Sequence, residues 1–295
     1  MSPQAAGRLQ RAFGQALRSR VAGRDAEDRG RVIWGRPGER WFSPADPIWR
    51  VHADAAMFAG GIGALVLQSL HPLAMAGVAG HSGYRGDPWG RVQRTAHYIA
   101  VTTYGTVDDA EAAIDAVRSV HERVRGKDAQ GRPYRASDPH LLAWIHAAEI
   151  FAFMEAHRAF GPVPLSEADA DAYVEQAGRS AALLGVERPP RTVRELSGTV
   201  LGYRDELELS PAAADTISFL LRTPPLPWVA RPGYWMLAAG GIAVLPEWVR
   251  ALAGLRVPTR MALGWGRLGT AAVRWGLDGV EDGRRSAAPA PEDDA

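Results

Sequence analysis

The sequence predicts an all-α fold, on three observations. Pro and Gly cut the chain into blocks of helical length. Two Asp-Pro pairs, at 87–88 and 138–139, stand where helices should open, with Asp as cap and Pro in the first turn. Nowhere is there a convincing strand: Thr199–Tyr203 could be extended, but no other segment offers to pair with it.

The elements follow in chain order. Residues 1–20 read as a short amphipathic helix with Leu9, Phe13 and Leu17 on one face. Residues 25–48 read as an irregular arm carrying Trp34 and Trp41, and Ser43–Pro44 should open a helix that runs past Trp49. The apolar block 53–70 is helical and 73–82 continues it beyond Pro72. From Asp87–Pro88 a helix runs to Gly105, and Thr106 with Asp108 opens the next, with Ala113, Val117, Val120 and Val124 on its apolar side. The polar, Gly-containing stretch 126–137 is a loop. Asp138–Pro139 starts a long helix, Ser166 with Asp169 another, and Pro189–Pro190 closes that segment. Helices are expected at 192–207, 211–222, 234–254 and 258–277. The domain division is an N-terminal helix and arm over 1–44, one helical domain over 45–277 and a disordered tail over 278–295.

Composition excludes much. The chain has 295 residues, 46% of them hydrophobic and 23% charged, and a net charge of +1, so no bulk attraction to nucleic acid is expected. Without cysteine, disulfides, thiolate nucleophiles, iron–sulfur clusters, thiolate-ligated haem and covalently attached haem are all ruled out. Residues 55–84 hold no Asp, Glu, Lys or Arg, a length that would suit a membrane span. Gln68, Ser69, His71, Pro72 and the many Gly and Ala fit a buried central helix better. The N-terminus lacks the apolar core of a secretory signal, which makes the cytoplasm the expected compartment, with peripheral membrane contact through the N-terminal helix as an added expectation.

No nucleophile elbow, phosphate loop or metalloprotease motif occurs, and Gly60–Leu65 lies inside a helical block with no strand before it. His97, His121 and His157 have polar neighbours and read as surface residues, while His140 reads as a helix-start residue. His146 lies mid-helix in LLAWIHAAEIF, either a core histidine bonded to a carbonyl or a neutral imidazole that ligates iron. Arg91 and Thr95 share a helix face, with Arg94 and Tyr98 beside them. Arg91 either seeks an anion or is solvated. His71, directly before Pro72, marks a kink facing a cavity or a helix end.

The run LQSLHPLAMAGVAGHSGYRGDPWGRVQRTAHYIAVTTYGT, followed by DPHLLAWIHAAEI, resembles the family of rubber oxygenases (latex clearing proteins) and MpaB-type oxygenases. The likeness covers residues 50–160 well and extends more weakly to about 275. It implies a globin-like helical bundle around one haem b, with His146 as the iron ligand and Arg91 and Thr95 close to the haem. Where the rubber-cleaving branch carries a Lys that can cap the iron, this chain has Arg94, which does not deprotonate. No acid in 55–84 matches the base proposed for rubber cleavage, which points away from rubber as substrate. The expected cofactor is therefore haem b, held by His146, Arg91, Arg94 and His71. The expected partners are oxygen and an apolar, isoprenoid- or lipid-like substrate. Haem binding without turnover, and a cofactor-free membrane-peripheral protein, stand as the alternatives.

Overall fold

The computed structural model describes residues 3–23, 25–81 and 86–287. Among these it is all-α, as expected, apart from one short hairpin. The helices are α1 (Pro3–Ala22), α2 (Ala26–Gly35), α3 (Pro47–Ala53), α4 (Ala56–Ser69), α5 (Pro72–His81), α6 (Pro88–Tyr104), α7 (Val107–Arg123), α8 (Pro139–Phe160), α9 (Glu167–Leu184), α10 (Val193–Gly202), α11 (Pro211–Arg222), α12 (Arg231–Ala243), α13 (Glu247–Leu252) and α14 (Thr259–Ala287). The hairpin pairs β1 (Arg125–Lys127) with β2 (Pro133–Arg135).

The capping chemistry behaves as its residues dictate. The Asp87 carboxylate accepts from the Gly90 N–H at 2.9 Å, Asp138 from His140 at 2.9 Å and Ser166 from Asp169 at 3.0 Å. Each satisfies an otherwise orphaned donor of the first turn. A third Asp-Pro start replaces the one expected at Ser43–Pro44. Asp46 accepts from both the N–H and the hydroxyl of Ser43, at 2.7 and 2.8 Å, which folds the chain into a turn and delays the helix to Pro47.

The differences from expectation have tertiary causes. The arm at 25–48 contains α2, held by Ile33 in the core and by Trp34 stacked on Tyr104 at 4.8 Å. The loop 126–137 contains the hairpin, because Gly131 takes φ +81 at its turn and Tyr134 is buried. The single helix expected over 234–254 is two, α12 and α13, separated at Pro246. The helix expected to end at 277 runs on through Ala287, since α14 packs along α1, where Gly276 lets the Phe13 ring approach. Residues 288–295 of the expected tail lie outside the described residues.

At the centre α4 packs on α8, with α12 across the other side of α4. Gly60 meets the Phe153 backbone, and Gly63 meets Gly241 of α12, where a Cβ would stand 2.7 Å from the Gly241 carbonyl. Leu67, Leu70, Trp144, Met154 and Tyr173 are completely buried around this pair. Each contributes about 2–3 kcal/mol of hydrophobic stabilisation. The uncharged run 55–84 thus begins as a core helix covered on several sides, which explains its all-round apolar character. No single helix among the described residues is long and apolar enough to cross a membrane. The pair α3 and α4 is, taken together, but it is bent by 89°.

Candidate functional site

Helix α8 carries two kinds of face. Trp144, Ala147, Ala148 and Phe151 enter the core, so the two alanines fill space there and do not open it at His146. His146 and Glu149, one turn apart, share another face. The His146 Nε2 is buried and has no hydrogen-bond partner. Burial pushes this imidazole down to about 4, so it is neutral at physiological pH with a lone pair available. Glu149 is pushed up to about 7 by burial, against the opposing effect of a hydrogen bond from Gln68 of α4.

Two tyrosines feel the charge of this acid, and one of them leads on to a buried histidine. Tyr98 of α6 is pushed up to about 12 by burial and then by the Glu149 charge, and it bonds to Ser180 of α9. Tyr173 of α9 rises well above the usual range for the same two reasons. Its hydroxyl lies 3.4 Å from the His52 Nε2, and the His52 Nδ1 lies 2.8 Å from the Thr103 hydroxyl. Burial holds His52 down to about 3. Gln68, Tyr98, Glu149, Tyr173 and His52 form a polar patch enclosed by apolar packing.

Between α6 and α8 this patch marks a candidate slot. Among the described residues α6 leans on α1, α2, α3 and α7 and has no extended face against α4 or α8. Arg91, Thr95, Tyr98 and Thr102 recur at four- and three-residue steps, so they line one side of α6. Tyr98 feels the Glu149 charge from there, which turns that side toward α8. Arg91 is partly buried, and its pKa is lowered by burial first and by Arg94 second. Thr95 is exposed at the open edge. On the α4 wall, Gly61, Leu65 and Gln68 are the partly open positions. A Cβ on Gly61 would meet only a Phe153 ring carbon, at 4.0 Å.

The sequence-predicted residues therefore divide. His146 sits on α8, while Arg91 and Thr95 lie on the side of α6 that carries Tyr98, whose response to the Glu149 charge links the two helices. Arg94 does not join them: it is exposed and pairs with Asp87 at 3.2 Å. His71 does not either. It is 2% exposed beside Trp144 and Tyr203, on the opposite side of α8 from His146, near His140 and Glu206. The reason is helical geometry: Trp144 and His146, two residues apart, point about 200° away from each other. The side chain of His81 lies outside the described residues. His157, read as a surface residue, is buried at the far end of α8. Sequence reasoning missed Glu149, Tyr98, Tyr173 and His52 as site residues. The available signal was Glu149 itself, an acid one turn from His146 in an otherwise apolar helix.

The buried imidazole makes a measurable demand on stability. The folded chain holds His146 at about 4 against an ordinary value of 6.5, so the unfolded chain binds its proton first. Stability is complete above pH 6.5 and is lost as pH falls from 6.5 to 4. In urea titrations of the cofactor-free protein, His146→Gln should remove about 3 kcal/mol of the loss between pH 7 and pH 4. Identical pH slopes for the two proteins would contradict this burial.

A neutral imidazole with a buried free nitrogen, together with a partly buried arginine on a neighbouring helix, is a donor set that suits an iron macrocycle carrying carboxylates. Comparison with known proteins bears on the same region. The family described as ER-bound oxygenase mpaB/B'/rubber oxygenase, catalytic domain, matches residues 49–275. An uncharacterized protein of Mycobacterium bovis and one of Mycobacterium tuberculosis are each 34% identical over 126 residues, 43% of this chain and 46% of theirs. The match thus spans less than half the length of these relatives. No solved structure matches the chain.

Proposed function

The chain belongs to the mpaB/rubber oxygenase catalytic-domain family, and from that premise we propose that it binds one haem b through His146 and oxidises an apolar substrate with dioxygen. The observation that carries this reading is the orphaned, buried Nε2 of His146. A buried polar nitrogen without a partner costs about 1–3 kcal/mol, and ligation of a metal centre is what repays it here. When bound, the haem supplies the redox chemistry with dioxygen.

The chain supplies the rest. Arg91 donates to a haem carboxylate from α6, and its partial burial strengthens that pairing. Thr95 offers a hydroxyl at the open edge of the slot. Glu149, balanced near neutrality, holds or releases a proton at its carboxyl oxygens, with the Tyr98 and Tyr173 hydroxyls remaining protonated around it. Gly61 and Leu65 give the α4 wall an apolar surface that excludes water and accepts a greasy substrate.

Titration of the purified protein with haemin tests the reading. A saturable Soret band at one haem per chain is expected, with oxygen uptake when a short-chain isoprenoid or an unsaturated lipid is added. Arg91→Ala should weaken haem binding by about tenfold, the effect of losing roughly one charge-assisted hydrogen bond. A Soret band without oxygen uptake would leave a haem-binding protein that does not turn over. Failure to bind haem at stoichiometric concentration would overturn the proposal.

A further inference from the structure

On the opposite side of α8 from the slot, three ligating side chains from three separate elements converge. His71 stands at the break between α4 and α5, His140 in the first turn of α8, and Glu206 in the short helical turn Arg204–Glu206 after α10. Their ligand atoms all lie within 4.8 Å of one another. The His140 Nε2 is 3.0 and 2.8 Å from the two Glu206 oxygens, and the His71 Nε2 is 3.5 Å from one of them.

The protons can be assigned by following the hydrogen bonds. The Tyr203 hydroxyl donates its only proton to the His140 carbonyl at 2.7 Å. It can then only accept from the His140 Nδ1, 3.2 Å away, so that nitrogen carries the ring proton. In neutral His140 the Nε2 is therefore a lone pair aimed at a carboxylate at 2.8 Å, an arrangement that requires a positive centre between them. A proton could serve that pair. The His71 Nδ1 accepts a long contact from the Ala74 N–H at 3.5 Å, and its buried Nε2 stands 3.5 Å from the same carboxylate without closing a hydrogen bond. A cation among the three would engage all three side chains, displacing the proton from the His71 Nε2.

We propose that His71, His140 and Glu206 form a binding site for a divalent transition-metal ion of the zinc class. Two imidazoles and a carboxylate leave a further position for water, and the exposed side of His140 and Glu206 gives water access to it. Ligand bonds of about 2.0–2.2 Å place tetrahedral ligand atoms about 3.3–3.5 Å apart, so a bound ion would hold His71 at its present 3.5 Å from Glu206 and spread His140 from it by a few tenths of an ångström. The imidazoles select against Mg2+ and Ca2+, which prefer oxygen. Burial lowers the pKa of His71, which favours the neutral, ligating form, although Glu206 opposes that shift. A bound ion fastens the start of α5 and the turn after α10 to the first turn of α8, the helix that carries His146 six residues further on. The site does not depend on the haem proposal, because its ligands and its probe are separate from the slot.

The test uses the full chain stripped with a chelator and dialysed. Calorimetric titration with Zn2+ should show one site per chain in the micromolar range or tighter, unaffected by excess Mg2+, and should raise the melting temperature. His140→Gln and Glu206→Gln change partly exposed side chains, so the metal-free variants should melt with the metal-free wild type. Each should weaken that Zn2+ site at least about tenfold and abolish the metal-induced rise in melting temperature. If wild type and both variants bind Zn2+ alike, the cluster is a protonated His–Glu pair and the proposal is overturned. The same holds if the wild type shows no saturable site.

Discussion

His146→Ala is expected to yield a protein that folds normally and no longer retains haem. The two halves of this expectation follow from one atom. The Nε2 of His146 is buried without a partner, so cutting the ring back to a methyl group removes an unsatisfied polar atom as well as packing volume. The first change stabilises by about 1–3 kcal/mol and the second costs a similar amount, so the cofactor-free variant should unfold within about 1 kcal/mol of wild type. Haem affinity behaves differently, because His140 points to another side of α8 and His157 lies about three turns further along it, so neither can replace His146. Its loss should reach at least about a hundredfold, read as disappearance of the Soret band in haemin titrations. Added imidazole should restore part of it by occupying the vacated space. A variant that folds and binds haem as wild type does would remove His146 from the site.

The second large effect concerns the crossing of α4 and α12. Alanine is ordinarily a better helix former than glycine by about 1 kcal/mol, so Gly241→Ala would stabilise an open helix. At Gly241 the added Cβ would lie 2.2 Å from the Ala59 carbonyl oxygen and 3.1 Å from the Gly63 nitrogen, both backbone atoms that cannot swing aside. The helices must part, and overpacking of this kind sits at the upper end of its range, about 3 kcal/mol or more. Gly233 lies on the same helix, where an added Cβ would have nothing within 4 Å, and its replacement by Ala should be neutral or slightly stabilising. Urea midpoints for the pair separate the two cases. Equal behaviour of Gly241→Ala and Gly233→Ala would mean that α4 and α12 do not meet there.

What the sequence made legible was local. Asp87, Asp138 and Ser166 announce helix starts because each cap bonds to an N–H two or three residues away, within reach of a sequence reader. His146 stood out for its apolar neighbours. What stayed hidden depends on distant segments. The raised pKa of Glu149 comes from its burial, and its neighbours come from α4, α6 and α9. His71 looked like a companion of His146 until the opposite directions of Trp144 and His146 on α8 separated them. Helix α2 has weak helical signals of its own and is held by Trp34 against Tyr104, a partner on α6. Its existence is a property of the packed chain.

The two walls of the slot have different foundations. The α4–α8 wall, with His146, Glu149 and Gln68, is rooted in the core. The α6 wall is propped from outside: Gln93 donates to the Arg20 carbonyl at 3.1 Å, the Arg20 guanidinium sits over the Trp89 ring at 5.3 Å, and Trp34 stacks on Tyr104. Arg20 and Trp34 belong to α1 and α2, which lie before the stretch that carries the chemistry. Substitutions at Arg20 or Trp34 can therefore shift the α6 wall, and Arg91 and Thr95 with it, retuning the gap for bulkier or slimmer guests without touching His146 or Glu149.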